Sequence, residues 1–409
     1  MFRLLVILPL LFFFKIYASE GNGVDKYIGV NVNPSNHNLS TEEMLRLIET
    51  TGFNSFRQEL SWGNVEDRKG NYVIKGKNIA RDDLIKKSTA LGLKPILVLV
   101  YSNKFYNDGN YPITPESRKA FANYAAWLAN QYKGKVKVFE VWNEWTLGAG
   151  MTARGLKIPP ESSYFELVKE TSIALKKVDP EIKVITGSFN PMSPTGRYLD
   201  YNDTTWFLNL INLGILKYID GVSIHPYSFL NVNKKVRTPE ENFLRIEKLE
   251  KLLVTASGEK KEVPIYITEM GISNFEANGG ASENSSADFI VKYTALISTL
   301  PYVKGIWWYN LIDDGNDIKE REQNFGFYHN NVTGKKVVEP FKQLMSKIRS
   351  GELDKCVASV GKSAVEIRNI NSEKLKECMS WSLDHFSQYN RITGDFDSCK
   401  DCNNIKFSK

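Results

Sequence analysis

Cysteine and histidine are both scarce in this chain, with four of each among 409 residues. Cys356, Cys378, Cys399 and Cys402 all fall within the last 60 residues, so nothing upstream can be held by disulfides or by thiolate metal sites. His37, His225, His329 and His385 show no zinc-binding spacing, which argues against metal catalysis; no metal and no cofactor is expected. Excess charge is missing too: 53 basic and 47 acidic residues leave +6, mixed along the chain, and Arg3 and Lys15 of the first 19 residues supply two of those charges. That is too weak and too diffuse to argue for a nucleic-acid partner.

Only one long apolar run occurs. Leu4 to Phe14 spans 11 residues before Lys15 closes it, whereas a membrane-spanning helix needs about 20. With Arg3 ahead of it and the small residues Ala18 and Ser19 behind, residues 1–19 read as a secretory signal, the alternative being an uncleaved anchor. Export then predicts a secreted or periplasmic chain with no membrane contact after cleavage. Disulfides are the first reading of the cysteines, with three pairings open. The Cys399 to Cys402 spacing resembles a redox or zinc half-site, but no βαβ unit surrounds it. Asn38, Asn202, Asn284 and Asn331 each begin an Asn-x-Ser/Thr sequon.

What is present is ample apolar material, 42% hydrophobic and 12% aromatic, enough for a large core. From Tyr27 to about Ile348, eight short runs rich in β-branched residues alternate with longer amphipathic stretches. The runs are Tyr27 to Asn33, Phe53 to Glu59, Lys94 to Tyr101, Val136 to Trp142, Ile182 to Gly187, Gly221 to Tyr227, Pro264 to Glu269 and Gly305 to Asn310. Helix starts lie between them: Ser40 with Glu43 forms a capping box, and Thr114-Pro115 places proline at a first helical position. Glu161 to Val178, Glu241 to Ala256 and Ser285 to Leu300 carry helical periodicity. Eight βα units predict an α/β fold, a (β/α)8 TIM barrel over residues 20–350, with strands buried on both faces as PILVLV at 95–100 suggests. The runner-up, an open doubly wound sheet, wants a glycine-rich phosphate turn early on, and the chain after Val30 reads NVNPSN instead. Residues 351–409, with nine charges of each sign and every cysteine, read as a small disulfide-stapled appendage.

In such a barrel the chemistry gathers at the C-terminal ends of the strands. The fourth run ends Val141-Trp142-Asn143-Glu144-Trp145 and the seventh ends Ile267-Thr268-Glu269-Met270, so two glutamates reach one mouth from different strands. Paired carboxylates among aromatic rings and an amide suit glycoside hydrolysis, where one must stay protonated and the other ionised. Arg57, near the end of the second run, is the candidate cation for the ionised partner. Asn143 is placed to bond a sugar 2-hydroxyl. Trp142, Trp145, Trp307 and Trp308 offer faces for a sugar ring, although strand alternation allows only one of Trp307 and Trp308 to meet substrate.

The Trp142-Asn143-Glu144-Trp145 and Ile267-Thr268-Glu269 stretches resemble the strand-four and strand-seven signatures of glycoside hydrolase clan A. Arg57 and His225-Pro226-Tyr227 extend the likeness over about 27–348. Trp308-Tyr309-Asn310-Leu311, Asp313-Asp314-Gly315 and Glu322-Gln323-Asn324-Phe325-Gly326 are similar to family 39 and its bacterial exopolysaccharide endoglycosidases. The resemblance implies a retaining double displacement, with Glu144 as acid/base and Glu269 as nucleophile about 5 Å apart. It also implies that Tyr227 and Arg57 support the nucleophile and that Trp308 is the sugar platform. His225, Trp145 and Asp313 complete the expected substrate-binding set. The expected partner is a polysaccharide or oligosaccharide.

Each of these residues has a plainer reading. Glu140 reads as a strand residue paired inside the barrel, without a catalytic role. His225 reads as a hydrogen-bonded strand-end histidine and Tyr227 as a packing residue. Asp313 divides evenly between binding sugar hydroxyls and capping a turn at Gly315. Phe105, Tyr106 and Tyr111 either line a subsite or cover neighbouring helices. The activity expected is an exported glycosidase cutting within a β-linked polysaccharide. The alternatives are a sugar-binding barrel without turnover and a metal-dependent hydrolase on the same barrel.

Overall fold

The computed structural model describes residues 26–150, 158–192, 203–229, 237–258 and 262–353. Residues 1–19, the sequon Asn202 and all four cysteines lie outside the described residues. Eight parallel strands are present, and each falls on one of the eight expected runs. They are β1 (Tyr27–Asn31), β2 (Ser55–Glu59), β3 (Lys94–Leu99), β4 (Val138–Val141), β5 (Lys183–Thr186), β6 (Val222–Ile224), β7 (Ile265–Met270) and β8 (Val303–Trp308). They pair in the order β5-β4-β3-β2-β1-β8-β7-β6, and the bridges Ile185 to Gly221 and Phe189 to Ile224 join the two ends into a barrel.

Helices α1 (Thr41–Thr51), α2 (Asn78–Ser88), α3 (Pro115–Gln131), α4 (Glu161–Val178), α5 (Asp203–Asn212), α6 (Pro239–Ser257), α7 (Glu283–Ser298) and α8 (Val338–Arg349) lie between or after the strands. Their starts are written locally. Ser40 and Glu43 form the expected reciprocal cap on α1, and the Thr114 hydroxyl accepts from Ser117 N at 3.2 Å ahead of Pro115.

Alternation along each strand divides its residues between two cores. Phe56, Phe139, Ile224 and Ile267 face outward into the large core beneath the helices. Inside the barrel, Ile96, Val138, Ile185, Tyr266 and Trp307 form a separate apolar floor, with Tyr27 packed against it. Trp307 stacks against Tyr27 at 5.6 Å and gives its indole N–H to Ser55 Oγ at 2.9 Å. Only glycine at 29 leaves room for that indole, since a Cβ there would lie 2.2 Å from it. Above the floor the inward positions turn polar, and this polar layer carries the mouth.

Candidate active site

Two local irregularities aim the glutamates. At the end of β4 the backbone leaves the extended region, with φ of 75° at Trp142 and 45° at Glu144. A left-handed conformation costs a non-glycine residue roughly 1–2 kcal/mol, and here surrounding bonds hold it. The Tyr164 hydroxyl of α4 donates to Val141 O at 2.8 Å and accepts from Gly187 N at 2.5 Å. Gly187 must be glycine for β5 to approach, because a Cβ would sit 2.7 Å from Val141 O. On β7 the cause is a bulge: Ile306 pairs with Ile267 and Trp308 with Met270, so three steps on β7 match two on β8. Strict alternation would send Thr268 and Glu269 to opposite faces; the extra residue lets both reach the barrel interior.

Arg57 sits at the centre. Its Nε donates to Glu140 Oε2 at 2.8 Å, Nη1 to Glu269 Oε1 at 2.6 Å and to Asn31 Oδ1 at 2.9 Å, and Nη2 to Asn143 Oδ1 at 2.9 Å. Burial works against its charge, but Glu140 and Glu269 outweigh that and hold the guanidinium protonated above its ordinary range. The other oxygen of Glu269 accepts from the Tyr227 hydroxyl at 3.2 Å. The other oxygen of Glu140 accepts from Ser223 Oγ at 2.9 Å and Thr268 Oγ1 at 3.1 Å.

His225 is 1% exposed and links the two catalytic candidates. Its Nδ1 lies 2.9 Å from Glu144 Oε1 and 3.6 Å from Glu269 Oε2, while Nε2 meets Thr268 Oγ1 at 3.0 Å. Burial pushes its pKa down to about 4 against the attraction of Glu269, so the ring is neutral near neutral pH. Burial likewise raises the Glu269 carboxyl, opposed by His225 and Arg57 and reinforced by Glu144 and Glu140. With His225 neutral, Arg57 is the cation that keeps Glu269 available as a carboxylate. Glu144, His225 and Glu269 each bring one ligand-type atom within 4.8 Å of the others. A dication there would stand beside the Arg57 guanidinium and compete with it for Glu269, so like-charge repulsion opposes a metal.

Of the expected residues, Glu144, Glu269, Asn143, Arg57, His225 and Tyr227 come together. Three do not. Trp308 is fully buried and gives its indole N–H to Thr294 Oγ1 of α7 at 3.0 Å, so it packs outward under the helices. Trp145 is also fully buried, its ring 4.2 Å from Tyr111 and 5.0 Å from Tyr164. Asp313, 3% exposed, accepts from Lys335 Nζ at 2.8 Å and Gly326 N at 2.7 Å, and so ties the loop after β8 together. The loop aromatics are structural as well: the Tyr106 hydroxyl donates to buried Glu66 at 2.6 Å and the Tyr111 hydroxyl to Trp145 O at 2.8 Å.

Two aromatics stand at the mouth that the sequence reading did not single out. Tyr309 is partly buried beside Phe325 at 5.4 Å, and its phenol is held well above its usual pKa by burial and then by the charge of Glu269. The Tyr101 hydroxyl accepts from Asn143 Nδ2 at 3.3 Å. Alternation carries the signal for Tyr309, two residues after the inward Trp307. For Tyr101, at the end of the third run, the residue type gave no comparable sign.

Glu144 and Glu269, delivered by the fourth and seventh strands with oxygens within 4.8 Å of each other and Arg57 bonded to Glu269, meet the clan A pattern, and the chain is a glycoside hydrolase of that clan. A family model, cellulase (glycosyl hydrolase family 5), matches residues 17–310, and the chain belongs to that family. Among solved structures it is similar to a family 39 glycoside hydrolase from the gut symbiont Bacteroides cellulosilyticus WH2, at 25% identity and a TM-score of 0.63. That match covers 79% of this chain and 64% of the other, so this chain spans less than two thirds of that relative's length. A GH5_18 from Streptomyces cattleya in complex with GlcNAc shares the fold at 15% identity and a TM-score of 0.64, covering 80% and 81% of the two chains. Native xylanase 10B from Thermotoga maritima does so at 16% and 0.57, covering 80% and 97%. No curated protein matches the sequence.

Proposed function

We propose that this protein is an exported retaining glycosidase that cuts within a β-linked polysaccharide. The observation that carries the retaining assignment is the carboxylate spacing. Oxygens of Glu144 and Glu269 lie within 4.8 Å of each other, which suits direct attack on the sugar, whereas an inverting pair stands about 6.5–9.5 Å apart to admit a water. Glu269, ionised on Arg57 and Tyr227, attacks the anomeric carbon and displaces the aglycone. Glu144, more exposed at 26% and hydrogen-bonded to His225, gives its proton to the departing oxygen. In the second half-reaction Glu144 takes a proton from water, and that water releases the sugar from Glu269. Asn143, fixed by Arg57 and Tyr101, takes the 2-hydroxyl. Tyr309 takes the platform role expected of Trp308.

Cleavage within the chain rests on the long connections after β4, β5 and β8, and on the exopolysaccharide likeness. Export rests on residues 1–19. The test is a panel of polysaccharides and oligosaccharides with product sizing, run on the mature chain beside Glu269→Gln. Hexosamine-containing glycans belong on the panel, because the Streptomyces cattleya GH5_18 was solved with GlcNAc and a variant of it with Manb1-4GlcNAc. Short products from the native chain alone, unchanged in excess chelator, are the expected result. Binding by both forms with products from neither would make the protein a non-catalytic sugar binder. Activity lost in chelator and restored by a divalent cation would make Glu144, His225 and Glu269 a metal site.

A further inference from the structure

Glu140 is fully buried, lies two residues before Trp142 on β4, and has no part in the double displacement just described. Its placement is nonetheless specific. One oxygen takes Arg57 Nε at 2.8 Å while Glu269 takes Nη1 at 2.6 Å, so two carboxylates divide a single guanidinium. The opposite oxygen of Glu140 takes two hydroxyl donors, Ser223 and Thr268, and Thr268 Oγ1 in turn meets His225 Nε2. A buried carboxylate needed only for packing would be replaced at little cost by an apolar side chain of similar volume. Here one Arg57 cation faces two buried anions, which leaves a net negative charge beside the reacting carbon.

We propose that Glu140 is a positioning residue that sets the proton affinity and nucleophilicity of Glu269 by sharing Arg57 with it. The inference rests on Glu269 being the nucleophile. With the whole guanidinium to itself, Glu269 would be a more strongly stabilised anion and a poorer nucleophile. By taking one of the cation's four hydrogen bonds and placing a second negative charge beside it, Glu140 keeps Glu269 reactive while Arg57 keeps it ionised. It also fixes the plane of the guanidinium, so that Nη2 still reaches Asn143 at 2.9 Å.

The other titratable groups around the pair leave this arithmetic intact. From α4 and from the segments just after β3, β6 and β8 come the phenols of Tyr164, Tyr101, Tyr227 and Tyr309, all pushed upward by burial and so uncharged. His225, just after β6, is neutral near neutral pH. Glu144 after β4 is the reaction's own proton donor, and Glu59 at the end of β2 lies at the rim, where it pairs with Arg81 at 3.6 Å. Arg57 and Glu140 are therefore the buried fixed charges that Glu269 meets.

The test is Glu140→Gln, which can turn its carbonyl to Arg57 and its amide to the two hydroxyls. Two readouts are used: the pH profile of kcat/KM on an aryl glycoside, and the titration of Glu269 by carbon NMR of δ-labelled glutamate, assigned with Glu269→Gln. Removing the charge is expected to move the Glu269 titration and the acidic limb of the profile down by about one pH unit or more, with kcat reduced. Ser223→Ala, which strips one donor from Glu140 and leaves its charge less screened, is expected to shift both the other way by a smaller amount. It keeps the inference testable if Glu140→Gln does not fold. An unmoved Glu269 titration in either folded variant overturns the inference, even if activity falls. The NMR titration needs no substrate, so a chain without turnover would refute the proposed function while leaving this test standing.

Discussion

Replacing Arg57 by methionine asks how much of the mouth one cation holds together. Methionine keeps most of the buried stem, so the change removes chiefly the charge and four hydrogen bonds, to Glu140, Glu269, Asn31 and Asn143. Both carboxylates then stand in a site where the arginine side chain was 8% exposed, and stripping one partner from a buried ion pair costs about 3–5 kcal/mol. For a domain of this size 1 kcal/mol shifts the melting temperature by roughly 2 °C, so the loss at pH 7 is about 6–10 °C. The loss has a definite pH dependence. Without Arg57, burial lifts the folded-state pKa of Glu269 further above the value of about 4.3 that it has in the unfolded chain. The penalty is then absent below that value and grows as pH rises through the folded pKa, because the unfolded chain releases its proton first. The gap between native and variant melting curves should therefore close as pH falls towards about 4. Scanning calorimetry from pH 4 to 8, with Arg57→Lys as a control that keeps a cation, measures it. A gap that stays constant with pH, or a loss under about 2 °C at pH 7, would refute the claim that Arg57 compensates two buried charges.

Three further outcomes follow from the site. His225, pushed down to about 4 from an unfolded value of about 6.5, adds stability that is complete above pH 6.5 and lost as pH falls to 4, about 3 kcal/mol in all. His225→Gln should flatten the melting-temperature slope in that window, and an unchanged slope would show that the ring is protonated in the fold. Glu144→Ala should lose most activity on substrates with poor leaving groups and far less on aryl glycosides of acidic phenols; equal losses would take the acid role from Glu144. Trp308→Phe should lower stability by about 1–3 kcal/mol with KM unchanged, while Tyr309→Ala should cut kcat/KM at least about tenfold; the reverse pattern would restore Trp308 as the platform.

The barrel was legible because its signals are local and repeated. Eight short β-branched runs, each followed by a helical stretch, match the eight strands to within three residues at every end, and the α1 and α3 caps appear as written. The glutamates were legible because they end strands. The aromatic platform was misplaced because the direction of a side chain depends on phase, which residue type does not carry. Trp307 fills the floor, so Trp308 must point outward and Tyr309 inward. Trp145 and Asp313 were misread for another reason. Both follow a strand end, where the chain turns back on itself, and both were drawn into its support, Trp145 under Tyr111 and Asp313 onto Lys335. The bulge that brings Glu269 inward leaves no trace in the sequence, since it is a property of the pairing with β8.

The same strand phase places polar side chains at the mouth, at a cost in stability. In barrels of this fold the inward positions are filled chiefly by branched aliphatic side chains in layers, and the floor here keeps to that with Ile96, Val138 and Ile185. One turn of the pleat higher, the corresponding inward positions hold Arg57, Glu140, Ser223, His225 and Thr268, all 7% exposed or less. Buried ion pairs seldom stabilise a fold relative to hydrophobic packing, so this layer is explained by what it does to the two glutamates. Arg57 can hold Glu269 as an anion only if the guanidinium cannot swing away, and Asn31, Glu140 and Asn143 fix its remaining N–H groups. His225 can stay neutral beside two glutamates only if it is dry, and the β6 end buries it to 1%. The apolar floor supplies the rigidity on which this arrangement depends. Loosening the Trp307 stack should therefore weaken the placement of Arg57 above it, through the Ser55 to Arg57 step of β2 that both layers share.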